Sequence, residues 1–185
     1  MAGSRIRSVQ AGRTGFTLLE LMLAVSVLVV GIALASHSIL TSMKLGRSNH
    51  QAAIATEAVR RQVEVLRGEV LAQVFARYNT VTGDDPGGTA PGAHFVVAGL
   101  DPVPEDADGC AGEIVFPVAA GAGGMLREDV GDAALGMPRD LDLDGVVDAA
   151  NHAANYRILP VLVRVRWRGP GGSQQTDVRT ILGGL

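Results

Sequence analysis

Phe16 to Ala35 forms an apolar run that carries one charged side chain, Glu20, and is preceded by Arg13-Thr14-Gly15. A run of about 20 residues, at 1.5 Å per residue in a helix, covers roughly the 30 Å of a bilayer's hydrocarbon. No other stretch of the chain limits its fold so strongly. A carboxylate just inside a spanning helix costs roughly 2.5–3.5 kcal/mol on insertion scales, so Glu20 reads as a functional position that needs a partner. No cation within the run can serve as that partner. Arg5, Arg7 and Arg13 precede the run, and the positive-inside rule holds them on the cytoplasmic side.

The stretch Arg13-Thr14-Gly15-Phe16-Thr17-Leu18-Leu19-Glu20 resembles the entry of the type IV pilin superfamily, with a basic leader ending in Gly, then Phe, then an apolar helix with Glu near its start. The resemblance implies that a prepilin peptidase cuts between Gly15 and Phe16 and that the new Phe16 amine is N-methylated. It also implies that Glu20 faces the amino terminus of a neighbouring subunit. Physical reasoning agrees, because a buried carboxylate that meets a buried ammonium loses a penalty that either charge alone would carry. A secretory signal peptide would end on a small-residue cleavage site, and none is clear here. An uncleaved signal anchor fits the arginines but leaves Glu20 without a role.

The regions expected from the sequence are a leader at 1–15, a transmembrane and filament-core helix at 16–38, its amphipathic continuation at 39–78, and a globular β domain at 79–185. From Phe16 to about Tyr78 there is no proline, and Ala, Leu, Val, Arg, Glu and Gln dominate, which predicts one continuous helix with weak points at Gly31, Gly46 and Gly68. Ile54, Val59, Val63, Leu66, Val70 and Val74 make a helical stripe that packs on a sheet. Glu57 with Arg61, and Glu64 with Arg67, are spaced for exposed ion pairs. Beyond Tyr78, strands are predicted at Ala93–Val97 and Glu113–Val118, the latter limited by Pro117. A terminal hairpin of Val161–Arg168 and Thr176–Leu182 turns through Gly169–Ser173. The fold class that follows is α+β, a long N-terminal helix with its second half packed on a roughly four-stranded antiparallel sheet, as in pilins.

Composition narrows the function classes. Removing Arg5, Arg7 and Arg13 with the leader leaves 13 of the 16 basic residues against 19 acidic ones, a net charge of −6. An acidic exported domain argues against a nucleic-acid partner, although Arg164, Arg166, Arg168 and Arg179 share one strand face. Cys110 is the single cysteine, so no disulfide forms within the chain. Aromatic residues are only 4% of the chain, which predicts a core built on aliphatic side chains. His37, His50, His94 and His152 are scattered, and there is no nucleophile elbow or phosphate loop, so the chain reads as a non-enzyme.

Between Arg139 and Asn151 the acidic residues Asp140, Asp142, Asp144 and Asp148 fall at the first, third, fifth and ninth places of a loop with Gly145 at the sixth. This spacing resembles an EF-hand-like calcium loop, with the Val146 carbonyl at the seventh place and Asn151 where a bidentate Glu would stand. Calcium is the cofactor this pattern implies, in a structural role.

The resemblance implies a minor pilin of the pilus-modification type, assembled into or at the tip of a type IV pilus. A minor pseudopilin of type II secretion is the alternative within the family, and a signal-anchored periplasmic calcium-binding module the alternative outside it. The implied partners are other pilin or pseudopilin subunits, the prepilin peptidase and an inner-membrane assembly platform. The precursor would span the inner membrane once with a cytoplasmic N-terminus, and the product would lie in a pilus or pseudopilus in the periplasm or outside the cell.

Overall fold

The computed structural model describes residue 15, residues 17–106, 108–119 and 124–184. Phe16 and the leader positions before Gly15 lie outside the described residues. The fold is α+β. Helix α1 spans Leu18–Gly68 and helix α2 spans Leu71–Tyr78, and two short 3-10 turns precede the strands. Strands β1 (His94–Phe95), β2 (Gly112–Val115), β3 (Ile158–Gly169) and β4 (Gly172–Gly183) form one sheet in the order β1-β2-β3-β4, every pair antiparallel.

The chain divides into two compact units, one ending at Lys44 and one beginning at Leu45. In the first unit every described residue from Thr17 to Lys44 is exposed. The helix that begins there is long and apolar enough to cross a membrane. Thr17 starts it: its Oγ1 accepts the Glu20 backbone N–H at 3.3 Å, and its carbonyl accepts the Leu21 N–H at 3.1 Å. Thr followed three places later by Glu is the capping-box arrangement, which satisfies otherwise orphaned first-turn donors.

In the second unit Gln51, Ala55, Val59, Val63 and Leu66 form the buried stripe of α1, at steps of four and three residues. Ala55, Val59, Val63 and Leu66 join Val161, Val163, Val165 and Trp167 of β3 in one apolar cluster. Alternation along β3 sends those odd-numbered residues inward. The ends of the hairpin are tied to the helix as well: Gln174 Nε2 donates to Ser48 Oγ at 3.0 Å and Arg67 Nη2 to Thr180 Oγ1 at 3.3 Å.

One expectation changes. The helix is not continuous to Tyr78, because it stops at Gly68, Val70 takes an extended conformation (φ −67°, ψ 117°), and α2 restarts at Leu71. Glu69 fastens the break, its carboxylate accepting from Arg77 Nη1 at 2.8 Å and Tyr78 Oη at 3.2 Å. The turn buries Val74, Phe75 and Tyr78 and leaves Val70 64% exposed, so Val70 leaves the packing stripe. The core rests mainly on aliphatic side chains, as composition predicts, with most of the few aromatic residues set among them. Phe75, Tyr78, Phe116, Tyr156 and Trp167, five of the seven aromatic residues, are buried, and Phe75 meets Phe116 edge to face at 5.4 Å.

The remaining boundaries shift modestly. Strand β2 ends before Phe116, as Pro117 requires, and the hairpin strands extend to a two-residue turn at Pro170-Gly171. Glu57–Arg61 and Glu64–Arg67 are ion pairs at 3.9 and 3.0 Å. The strand arginines are engaged too: Arg164 lies 4.0 Å from Glu113 and 3.9 Å from Asp177, and Arg166 2.7 Å from Asp106.

Candidate metal centre

The long connection from β2 to β3 folds back on itself around one buried acid, Glu128, which is 0% exposed. Its Oε1 accepts the backbone N–H of Leu141 at 2.6 Å and of Asp142 at 3.3 Å, and its Oε2 accepts that of Asp148 at 3.1 Å. Charge-assisted bonds of this kind are about twice as strong as neutral ones. The carboxylate therefore pins both ends of the Asp-rich segment. Buried Leu141 anchors the same segment, with its carbonyl accepting from Arg157 N at 2.8 Å and Ile158 N at 3.0 Å, where β3 begins.

Within the segment each aspartate bonds to nearby backbone. Asp140 accepts from Leu143 N at 2.6 Å and Gly145 N at 2.8 Å, and Asp144 from Val146 N at 2.7 Å. Asp142 Oδ1 accepts from Asp144 N at 3.3 Å. The tight path needs positive φ at Gly145 (91°) and also at Leu143 (64°), where a non-glycine residue costs about 1–2 kcal/mol. The consequence is that carboxylate oxygens of Asp140, Asp142 and Asp144 lie within 4.8 Å of one another.

Asp148 and Asn151 turn elsewhere. Asp148 Oδ1 accepts the Ala150 N–H at 2.7 Å and stands 3.0 Å from His152 Nε2, while Asn151 Oδ1 accepts the Ala153 N–H at 3.1 Å. The Val146 N–H is bonded to Asp144 as above. A second group of possible metal ligands, Glu128, Asp142 and His152, also holds its ligand atoms within 4.8 Å. Acidic groups and a histidine that could hold a metal ion are thus assembled here, with Asp142 common to both sets.

His152 is the residue that spacing alone misses. It is buried, its N–H donates to the Leu126 carbonyl at 2.8 Å, and its ring lies among Asp148, Asp142 (Nδ1 to Oδ2, 3.5 Å) and Glu128 (Nε2 to Oε2, 3.6 Å). Burial opposes its charge, but the hydrogen bond to Asp148 and the fields of Glu128, Asp142 and Asp148 outweigh that, so its pKa is raised above the ordinary histidine value. The Asp148 carboxyl is correspondingly held below its ordinary value, chiefly by the Ala150 N–H and then by His152.

At the other end of the chain, none of the described residues crowds Gly15, and Glu20 is exposed in the first turn of α1. No family model, no curated protein and no solved structure matches the chain. Its elements are pilin-like: a long N-terminal helix with an apolar first part, and a four-stranded antiparallel sheet on which the later turns of that helix pack.

Proposed function

We propose that this chain is a minor pilin-like subunit of a type IV-type filament, anchored in the inner membrane as a precursor, cut between Gly15 and Phe16, methylated on Phe16, and assembled through Glu20. The observation that carries this reading is the first unit, a helix exposed along its whole described length from Thr17 to Lys44 whose only charged side chain before Lys44 is Glu20. Apolar side chains such as Leu21, Leu28, Val30 and Leu34 are each about three-fifths exposed, and water is a poor solvent for them. Lipid first, and the helices of other subunits afterwards, would cover them. Glu20 then has its use: in a dry bundle its carboxylate would meet the cationic amine of a neighbouring Phe16. Mass spectrometry of the chain purified from membranes tests the reading, since a mature N-terminus at a methylated Phe16 is expected and an intact leader would overturn it.

The loop supports a calcium ion in a structural role. Asp140, Asp142 and Asp144 supply hard carboxylate oxygens, and a calcium ion takes 6–8 oxygens in all, so water would complete its shell. With Asp148 and Asn151 turned to other partners, the site is of the weak extracellular class, of roughly 10⁻⁴–10⁻³ M. Millimolar calcium is expected to raise the melting temperature, and Asp140→Ala with Asp144→Ala to remove the gain. Identical melting with calcium and with chelator would exclude the ion.

A further inference from the structure

We infer that Glu128, Asp142 and His152 form a second metal site, for a divalent transition ion of the zinc class, beside the oxygen-only calcium loop and sharing Asp142 with it. The donor chemistry separates the two. Calcium takes oxygen, whereas an imidazole with two carboxylates suits zinc and its neighbours.

The state of His152 is the second observation, independent of the clustered acids. Its side chain is 6% exposed, and Nδ1 is buried with no hydrogen-bond partner among the described residues. An orphaned buried polar atom is costly unless a ligand satisfies it. Nδ1 faces Asp142 Oδ2 at 3.5 Å, too long for a hydrogen bond of about 2.9 Å. Two donors bound at about 2.1 Å to one tetrahedral ion stand about 3.4 Å apart, so the observed separation is that of two ligands to one ion. The opposite nitrogen supplies what a metal-binding histidine commonly has. Nε2 lies 3.0 Å from Asp148 Oδ1, so when an ion displaces the proton from Nδ1, Nε2 would keep its own proton in a bond to Asp148 and Nδ1 would be the ligand. Glu128, anchored by three backbone N–H groups, offers a carboxylate oxygen within 4.8 Å of the ligand atoms of Asp142 and His152. A bound ion would join the loop around Glu128 to the segment entering β3.

The test uses the full chain in detergent micelles, stripped of metal. Cobalt(II) serves as the visible probe. Cobalt is expected to give the intense ligand-field bands of a low-coordinate nitrogen and oxygen site, to be displaced by an equivalent of zinc, and to resist excess calcium. His152→Gln should weaken zinc binding by tenfold or more in titration calorimetry while the calcium-induced rise in melting temperature persists. Asp140→Ala with Asp144→Ala should do the reverse, and His94→Gln should change neither. Absence of cobalt bands in the unmodified chain would overturn the site without any variant needing to fold. So would displacement of zinc by calcium, or unchanged zinc affinity in a folded His152→Gln. None of these results bears on the filament reading, which is decided at Phe16.

Discussion

Glu128→Gln probes the loop with one atom's change. The carboxylate accepts three backbone N–H groups, two on Oε1 and one on Oε2. An amide presents one oxygen and one NH2 group, so whichever way it is turned, a donor faces a donor. If the oxygen stays with Leu141 and Asp142, the Asp148 N–H loses its acceptor, and the other orientation orphans two groups. A hydrogen bond to a charged group contributes about 1.5–3 kcal/mol and a neutral one about 0.5–1.5 kcal/mol. One bond lost and the other two reduced to neutral strength gives a loss of about 3.5–6 kcal/mol. For a chain of this size each kcal/mol moves the melting temperature by about 2–4 °C, which gives a fall of about 7–24 °C.

The assay is thermal unfolding of the full chain in micelles with chelator present, followed by near-ultraviolet circular dichroism of buried Trp167. Chelator removes any contribution from metal ligation by Glu128. Glu64→Gln, at an exposed helix pair, is the control and should stay within about 0.5 kcal/mol. If Glu128→Gln melted with the control, the carboxylate would not be organising the loop, and the argument for both metal groups would lose its base.

Other outcomes follow from the same residues. Gly15→Leu should stop cleavage and let the precursor accumulate on immunoblots, because a peptidase gripping extended backbone beside the membrane leaves no room for a side chain. Normal processing would move the cleavage site elsewhere. Glu20→Leu should insert into the membrane at least as well as the unmodified chain but fail to enter sheared filaments, and ordinary incorporation would remove the charge-pairing argument. Protonated His152 is favoured by the fold, so its stabilisation is fully present below the ordinary histidine pKa of about 6.5 and is lost as pH rises through the raised folded value. With chelator present, the stability difference between the unmodified chain and His152→Gln should therefore shrink between pH 6 and pH 9, and a flat difference would show that the ring is not charged in the fold.

The parts of this fold that were legible in the sequence are those set by local periodicity. Alternating Val161, Val163, Val165 and Trp167 against Arg164, Arg166 and Arg168 predicts β3, and its turn residues predict β4. The helical stripe of α1 is equally plain up to Leu66. The break after Gly68 is half legible: Gly68 is one of three glycine weak points, but Glu69 to Tyr78 is itself a good helix former, and what ends α1 is the gain from burying Phe75 and Tyr78 once Glu69 has turned to Arg77 and Tyr78. Tertiary contact overrides propensity there. Likewise, Asp140, Asp142, Asp144 and Gly145 announce a turn by their spacing, but Glu128 in Arg127-Glu128-Asp129 looks like one more surface charge. Only the return of the chain, bringing Leu141, Asp142 and Asp148 over it, makes it the most buried acid in the fold.

That return also explains why so many carboxylates stand close together in so long a connection. Among the described residues between Phe116 and Arg157 the ladder is limited to the isolated Val118–Leu126 bridge, so most backbone donors there turn to local turns, side chains or water. Aspartates meet that need locally, one turn at a time, but each brings a negative charge close to the next. Asp140, Asp142 and Asp144 thus satisfy the backbone at the expense of mutual repulsion. His152 relieves part of it from one side when protonated, and a cation would relieve the rest from the other. The same carboxylates that shape the loop therefore make it responsive to its ionic surroundings, and β3 feels the result directly, since Leu141 at the head of the acidic segment is bonded to Ile158, the first residue of that strand.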